Sequence, residues 1–368
     1  MNKTRFLMIG GFLGAGKTTA IARLARHYTA RGLRVGLVTN DQAYGLVDTH
    51  ALRAQGFDVG EVPGACFCCK FDDLVDTAAA LGVEQRPDVI LAEPVGSCTD
   101  LMATVLRPLG DLWGDRYELG PLAVLCKPEH GRKILGGGTG GFSPQAAYIF
   151  LKQLEEAQLL VLNKVDRLAD SERAELLQLL SDRFPDKRVL TASGISGEGF
   201  EELIAGLAAG AGPAGEPLEI DYDTYADGEA ALGWFNAAVH FARADDCSRT
   251  DWSLDGLAKQ LTTGLSQALL KAGLEPGHVK VLASSGRSTA VANWVASDAP
   301  VELSVATGID VSAADVLLNV RVHGQPVELD EFVRRTITEV AQRNALTCQL
   351  SSVQYFSPGR PEPVHRYR

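Results

Sequence analysis

A glycine-rich segment near the start of the sequence has the residue types and spacing of a phosphate-binding loop. It reads GFLGAGKT from Gly11 to Thr18, between an apolar run and a helical pattern. Glycine lets several backbone N–H groups approach a polyphosphate, and the helix directs its positive end at the same charge. Lys17 would lie between β- and γ-phosphate oxygens, and the Thr18 hydroxyl would bind Mg²⁺. We expect this site to use Gly11, Gly14, Ala15, Gly16, Lys17, Thr18 and Thr19.

A second motif, Asn163-Lys164-Val165-Asp166, follows the apolar run at 159–162. A carboxylate at Asp166 can accept hydrogen bonds from the N1–H and the 2-amino group of guanine, a pair of donors that adenine lacks. The stem of Lys164 can cover the ring. Downstream of a phosphate-binding loop the motif predicts GTP rather than ATP, held by Asn163, Lys164 and Asp166 with a backbone contact at Ser193.

Acidic residues follow two further apolar runs. Asp41 and Asp48 come after one of them, and Glu93 ends the other, three residues before Gly96. Carboxylates near phosphates can hold Mg²⁺ or orient the attacking water, although an exposed turn aspartate is an equally good interpretation of Asp41 or Asp48 taken singly. The N–H of Gly96 can approach the γ-phosphate, which makes this segment sensitive to hydrolysis. We predict a Mg²⁺ site at Thr18, Asp41, Asp48 and Glu93, with Lys17, Asp41 and Glu93 as catalytic residues.

Three cysteines, Cys66, Cys68 and Cys69, occupy four consecutive positions. So short a segment cannot turn all three side chains inward, and soft thiolates select Zn²⁺, Cu⁺ or related ions. A fourth ligand must come from elsewhere. Cys98 is our first candidate, because loops after neighbouring parallel strands meet at one end of a sheet, and Cys126 and His130 are alternatives. Adjacent low-pKa thiols are also readily oxidised, so redox sensing is the competing interpretation of the cluster.

Composition restricts the class of protein. The chain has 368 residues, a length that predicts two domains, and a formal net charge of −11, which argues against a general nucleic-acid binder. The sequence enters its first strand without a leader pattern, and no apolar run approaches the roughly 20 residues that span a bilayer. We therefore expect a cytoplasmic protein without a membrane partner. Isolated Cys247 and Cys348 are expected to be structural.

The first half alternates strand and helix patterns, which predicts an α/β fold: a P-loop NTPase domain with a mostly parallel sheet and ligands at the carboxyl ends of its strands. Strands are expected at 5–9, 34–39, 89–93, 122–126, 159–163 and 188–192, and helices near 18–30, 72–82, 144–156, 171–183 and 199–208.

The second half predicts a smaller α+β domain. We expect domains at 1–208 and 218–368, joined by a Gly/Pro-rich linker at 209–217. Strand patterns occur at 237–241, 278–284, 289–296, 301–306, 315–322 and 346–356, and helical patterns at 254–272 and 328–343. The tail at 358–368 is expected to be loose.

Taken in order, the phosphate-binding loop, the Gly64–Cys69 cluster, Glu93-x-x-Gly96 and Asn163-Lys164-x-Asp166 resemble the CobW-like GTPases, relatives of HypB and UreG. The resemblance covers about residues 4–208. It implies a metallochaperone that uses GTP binding and hydrolysis to load or release a transition metal for a client metalloprotein. It also implies metal binding by Cys66, Cys68 and Cys69. Zinc is our own first choice of metal, with cobalt or nickel next.

Two rival hypotheses remain. One is a GTP-dependent regulatory switch whose cysteines sense redox state and carry no metal. The other is a P-loop kinase, which Asn163–Asp166 does not favour. In the metallochaperone hypothesis, the second domain is expected to dock the client or form a homodimer.

Overall fold

Two β-sheets organise the chain. The computed structural model describes residues 3–43, 47–81, 86–209, 212, 217–243 and 252–367. The first sheet is parallel, with eight strands in the order β3-β2-β4-β1-β6-β7-β8 and with β5 beside β1. Its strands are β1 (Thr4–Gly11), β2 (Val35–Asp41), β3 (Asp58–Pro63), β4 (Val89–Glu93), β5 (Tyr117–Leu119), β6 (Ala123–Cys126), β7 (Leu159–Leu162) and β8 (Arg188–Thr191).

Helices cover both faces of this sheet, because its central strands carry apolar side chains on both faces. In β1, Leu7 and Ile9 belong to one buried cluster, while Phe6 and Met8 belong to another on the opposite face. The helices of this region are α1 (Lys17–Ala30), α2 (Val47–Ala54), α3 (Phe71–Ala80), α4 (Arg107–Trp113), α5 (Pro128–Leu135), α6 (Pro144–Glu156), α7 (Asp170–Arg183) and α8 (Phe200–Ala209).

The second sheet is antiparallel, with six strands in the order β13-β12-β11-β15-β9-β16, and a separate two-stranded ladder joins β10 and β14. Its elements are α9 (Tyr222–Ala230), β9 (Leu232–Arg243), β10 (Trp252–Ser253), α10 (Leu254–Lys271), β11 (Pro276–Ser285), β12 (Ser288–Trp294), β13 (Glu302–Val305), β14 (Asp310–Val311), β15 (Ala313–His323), α11 (Pro326–Arg343) and β16 (Leu346–Phe356).

The two faces of the antiparallel sheet differ in chemistry. One face packs on α10 and α11 through alternating apolar residues such as Val279 and Val281. The opposite face carries His278, Lys280 and Arg321 and lies against the first domain. Because side chains alternate along a strand, the same strands build an apolar core on one side and a polar interface on the other.

The predicted fold class is confirmed: a P-loop NTPase domain with a parallel sheet precedes a smaller domain with an antiparallel sheet. The sequence patterns missed several shorter elements, namely β3, β5, β10, β14, α2, α4, α5 and α9. Among the described residues, no helix is long and apolar enough to cross a membrane.

The expectation of a loose tail is wrong for the residues that the structure describes. Backbone N–H groups of Val364 and Tyr367 donate to the carbonyls of Cys68 and Ala103, both at 2.9 Å. Arg366 pairs with the buried carboxylate of Asp100 at 2.7 Å. The chain therefore returns to the first domain after its last strand.

Three earlier expectations fall partly or wholly on residues outside the described ranges. They concern the middle of the 40–48 segment, most of the 209–217 linker, and Cys247. The domain limits stay predictions.

Candidate functional site

The phosphate-binding loop connects β1 to α1 and has the backbone that its glycines predict. Gly14 and Gly16 adopt φ values of 74° and 90°. A Cβ atom on Gly16 would approach Asn163 Nδ2 to 2.6 Å, so glycine is required there by both conformation and space. The buried Lys17 ammonium donates to the Gly11 carbonyl at 2.9 Å, and burial lowers its pKa although Glu93 partly offsets this.

Three predicted Mg²⁺ ligands meet at the start of α1. The Thr18 hydroxyl oxygen lies 2.8 Å from Asp48 Oδ1 and 2.9 Å from Glu93 Oε1. Burial, reinforced by the charge of Asp48, raises the pKa of Glu93 to about 7. The second oxygen of Glu93 is buried and has no hydrogen-bond partner among the residues that the structure describes. A hydroxyl, two carboxylates and a spare oxygen form a donor set that suits Mg²⁺ and its waters.

The fourth predicted ligand, Asp41, has a partner from the second domain. Arg321 Nη2 lies 3.2 Å from both carboxylate oxygens of Asp41, and the Ala43 N–H donates to Oδ1 at 3.1 Å. Burial raises the pKa of Asp41, while Arg321 opposes this rise. Its assignment to Mg²⁺ stays a prediction.

The second domain also contacts the segment that holds Asp48. Lys280 on β11 donates to Asp48 Oδ1 at 2.7 Å, and the N–H of Val47 donates to Asn319 Oδ1 at 2.9 Å. Burial opposes ionisation of Asp48, but Lys280 and Thr18 hold its pKa below the usual value. Asp41 at the end of β2 and Asp48 on α2 are therefore both paired with cations of the second domain.

The Asn163–Asp166 motif, which is predicted to bind guanine, lies at the end of β7, beside the phosphate-binding loop. Asn163 Nδ2 donates to the Ala15 carbonyl at 2.8 Å, which links the two motifs. Burial lowers the pKa of Lys164 to about 8, and the Asp166 side chain is exposed. Ser193 follows β8 and uses its hydroxyl to accept from the Ser196 N–H at 3.0 Å.

A cavity of about 470 Å³ joins these motifs and lies between the two domains. Its wall contains every predicted nucleotide or Mg²⁺ residue except Gly11 and Ser193, whose loop contributes Gly194 and Ile195 instead. The second domain supplies the opposite wall, which includes His278, Lys280, Val291, Asn293, Val295 and Glu302.

The three cysteines lie in the loop between β3 and α3, and Asn40 at the end of β2 fixes this loop. Asn40 Nδ2 donates to the carbonyls of Val62 and Ala65, both at 2.7 Å, and its Oδ1 accepts from the Phe67 N–H at 2.8 Å. The adjacent Asp41 carbonyl accepts from the Gly64 N–H at 3.0 Å. One short segment therefore touches both the nucleotide cavity and the cysteine loop.

The thiols of Cys66, Cys68 and Cys69 converge. Cys66 Sγ lies 2.8 Å from Cys68 Sγ and 3.3 Å from Cys69 Sγ, and the latter two are 3.7 Å apart. Sulfurs bound to one zinc ion at about 2.3 Å stand about 3.8 Å from one another, so small outward rotations would admit the ion. Hydrogen bonds from Cys68, Cys69 and Cys98 lower the pKa of Cys66 well below its usual value.

Cys98, the first candidate for a fourth ligand, is buried and hydrogen-bonds to Cys66. Among the described residues, Cys66, Cys68 and Cys69 form the only group of three or more potential ligand atoms within 4.8 Å of one another. The alternatives have other partners: His130 Nε2 lies 2.7 Å from Glu275 Oε1, and Cys126 contacts the Lys127 carbonyl. The fourth ligand stays a prediction.

Glu229 is a buried carboxyl group near the thiols that the sequence patterns missed. Its Oε1 accepts from Ser97 Oγ at 2.6 Å and from Gln42 Nε2 at 3.0 Å. Burial, together with the charge of Cys66, raises its pKa well above the usual value. The sequence could not identify Glu229 as a site residue, because the α9 segment contains no recognisable motif.

The tail closes the outer side of the cysteine loop. Besides the bond to Cys68, the Glu362 N–H donates to Cys69 Sγ at 3.2 Å, and the His365 ring packs edge-on against Phe71. Cys69 is the partly exposed member of the cluster, so the tail limits access to its thiol.

Lys280, His278 and Arg321 were also missed, although the sequence contains a signal for them. On β11 and β15 these polar residues alternate with the apolar residues that face α10 and α11. An alternating strand normally turns its polar side to water, whereas here that side packs against the first domain.

The fold and the site together define a P-loop nucleotide-binding protein with a thiol cluster beside the phosphate site. The chain belongs to the CobW/HypB/UreG family: the family's nucleotide-binding domain matches residues 5–191.

Three relatives illustrate this membership. The urease accessory protein UreG of Metallosphaera sedula is 30% identical over 210 residues, which are 53% of this chain and 88% of UreG. The zinc chaperone CobW of a Sinorhizobium species is 28% identical over 55% of this chain and 62% of its own length. The zinc chaperone YeiR of Escherichia coli is 31% identical over 46% of this chain and 50% of its own length. The chain thus matches less than two thirds of the length of either zinc chaperone, 62% of CobW and 50% of YeiR.

Proposed function

We propose that this protein is a GTP-hydrolysing metallochaperone that couples GTP binding and hydrolysis to delivery of a transition metal to a client protein. Zinc is our first choice, with cobalt or nickel next; the names of the CobW and YeiR relatives support zinc. We place it in the cytoplasm, as a possible homodimer whose second domain docks the client, without nucleic-acid or membrane partners. The limits 1–208, 209–217 and 218–368 are part of this proposal.

The observation that carries the proposal is the position of Asn40 and Asp41 between the two sites. Asn40 makes two hydrogen bonds to the cysteine loop, at Ala65 and Phe67, and one to Val62 on β3, and Asp41 lines the nucleotide cavity one residue further on. A ligand that moves one segment in direct contact with another site can change the affinity of that site.

Within the cavity, different residues of the chain have different roles in hydrolysis. Backbone amides of the loop and Lys17 would bind the phosphates, and Thr18, Asp41, Asp48 and Glu93 are the residues that would hold Mg²⁺. When bound, Mg²⁺ neutralises phosphate charge. Asp41 and Glu93 are our candidates for orienting the attacking water, and Asp166 selects guanine.

The test is the zinc affinity of the protein in different nucleotide states. With a non-hydrolysable GTP analogue and with GDP, each with Mg²⁺, we expect zinc dissociation constants that differ by about fivefold or more, measured by competition with a chromogenic chelator. An ATP analogue should not reproduce the effect. Cys68→Ser should weaken zinc binding in every state, whereas Cys348→Ser serves as the matched control because Cys348 lies alone on β16. Equal zinc affinity with GTP analogue and GDP would refute the proposal.

A regulatory switch with redox-sensing cysteines is the second candidate. It is supported by the low pKa of Cys66 and by the 2.8 Å approach of Cys68 Sγ. Metal analysis of protein purified under reducing conditions separates the two functions. A chaperone retains thiol-bound metal, whereas a redox sensor lacks metal and forms a Cys66–Cys68 disulfide on mild oxidation.

A further inference from the structure

The second domain inserts one ammonium group into the nucleotide cavity. Lys280 projects from β11, its side chain is 15% exposed, and its Nζ lies 2.7 Å from Asp48 Oδ1. The same Asp48 oxygen lies 2.8 Å from the Thr18 hydroxyl, which in turn lies 2.9 Å from Glu93. Lys280 therefore reaches the point where the end of a triphosphate and its Mg²⁺ would be held.

The neighbouring charges indicate what Lys280 does when nucleotide is present. The Asp48 carboxylate can pair with Lys280 or enter the Mg²⁺ shell, and it cannot fully satisfy both cations. A nearly buried ammonium that loses its counterion needs another anion close by. The terminal phosphate, which carries the largest negative charge of GTP and lies beside Mg²⁺, provides that anion.

The position of Lys280 is fixed from several directions. Its strand neighbour two residues earlier, His278, lies on the same face and also lines the cavity. In the ladder, Lys280 stands opposite Asn319, which holds the Val47 N–H, and opposite Asn293 on the other side. A side chain carried on the middle of a sheet is more precisely placed than one on a loop.

Building on the proposed GTPase function, we propose that Lys280 is a catalytic residue supplied by the second domain, whose ammonium contacts the terminal phosphate of GTP. In the reaction, water attacks the terminal phosphorus, and the bond from phosphorus to the β–γ bridging oxygen breaks. GDP leaves with the bonding electron pair, inorganic phosphate forms, and one proton passes to solvent. Lys280 stabilises the negative charge on the transferring group, as a second cation beside Lys17.

The test compares Lys280→Met with Lys280→Arg and with a control at the same domain interface. Lys133→Met is that control, because it removes the exposed ion pair between Lys133 and Asp298, which also joins the two domains, at 3.0 Å. We expect Lys280→Met to lower kcat by about 100-fold or more, and Lys280→Arg to restore part of this loss. Lys133→Met should leave kcat unchanged.

Binding supplies a readout besides activity. Lys280→Met should weaken binding of a non-hydrolysable GTP analogue at least about tenfold while changing GDP affinity much less, because GDP lacks the phosphate that Lys280 contacts. Thermal unfolding of each variant checks the fold, and Lys280→Gln replaces Lys280→Met if the latter does not fold. If GTP-analogue and GDP affinities fall equally, or if kcat is unchanged, the role of Lys280 is refuted and the GTPase proposal stands. If the wild-type protein does not hydrolyse GTP, both proposals are refuted.

Discussion

At the scale of single residues, Glu93 is a buried carboxyl group whose surroundings favour a bound cation. Glu93 is 6% exposed, one of its carboxylate oxygens has no hydrogen-bond partner in the described part of the chain, and its pKa is raised to about 7 by burial and by Asp48. Near neutral pH the nucleotide-free protein thus holds this carboxyl group partly protonated. A bound Mg²⁺ ion would favour the ionised form, so metal binding there releases a proton.

This predicts a pH-dependent stability that Glu93→Gln removes. Because the pKa of Glu93 is higher in the folded chain than its usual value of 4.5, the folded protein binds the extra proton, and stability falls as pH rises from about 4.5 to 7. The wild-type protein should lose up to ~3 kcal/mol of unfolding free energy over this interval relative to Glu93→Gln. Urea unfolding of both nucleotide-free proteins at several pH values measures the difference; parallel pH profiles would contradict the prediction.

At the scale of elements, the tail acts as a cover for the cysteine loop. It donates two backbone hydrogen bonds, from Glu362 to Cys69 Sγ and from Val364 to the Cys68 carbonyl, and it is anchored beyond them by Arg366 and Tyr367. These bonds come from the backbone, so the sequence contained little sign of them.

We expect Val364→Pro to expose Cys69. Proline has no N–H, so the 2.9 Å bond to the Cys68 carbonyl is lost. Alkylation of Cys69 by iodoacetamide, followed by peptide mass spectrometry, should accelerate about tenfold, as expected for the loss of about one hydrogen bond. Val364→Ala keeps the N–H and truncates a side chain that is 49% exposed, so it should react like the wild type. Equal rates in all three proteins would show that the tail does not protect the thiol.

The sequence predicts helices and strands well where the pattern of their own residues determines the secondary structure. The buried apolar strands β1, β4 and β7, and the long helices α10 and α11, lie close to their expected limits. By contrast, α2 is short and polar on much of its surface, and its Val47 and Ala51 pack on Leu282 and Val291 of the second domain. No local pattern can reveal an element that a distant part of the chain stabilises.

The candidate site divides in the same way. The phosphate-binding loop, the Asn163–Asp166 motif and the cysteine loop depend on fixed local spacing and can be recognised in the sequence, while the roles of their residues stay predictions. Lys280, Arg321 and Glu229 could not be recognised, because they reach the site only when the second domain or α9 packs against the first domain.

At the scale of the whole molecule, Arg321 joins the two domains. It is fully buried, lies 4.0 Å from the ring centroid of Trp234, and is paired with Asp41 of the first domain. Such a pair is expensive to break from one side, because the remaining charge stays buried.

Arg321→Met should therefore lower the free energy of unfolding by about 3–5 kcal/mol. In a double-mutant cycle, adding Asp41→Asn should cost less than it does in the wild type, because the orphaned carboxylate is removed with it. The control is Arg334→Met, whose ion pair with Asp330 lies within α11 with Arg334 half exposed, and which should cost less than about 1 kcal/mol. Additive effects of the two interface changes, measured by urea unfolding, would show that the pair does not couple the domains.

The path of the chain around β9 and β16 has a mechanical consequence. The start of β9 pairs with the end of β16, at Trp234 and Phe356. The chain is connected to the first domain at both places, through α9 before β9 and through the tail after β16. Both connections thus lie side by side at one edge of the second sheet, and β12 and β13 lie at the far edge. A rigid sheet held in this way turns most easily about the held edge, so the far edge travels furthest. Asn293 on β12 and Glu302 on β13 line the nucleotide cavity, so such a turn would widen the cavity from the edge of the sheet that lies away from the tail and the cysteine loop it covers.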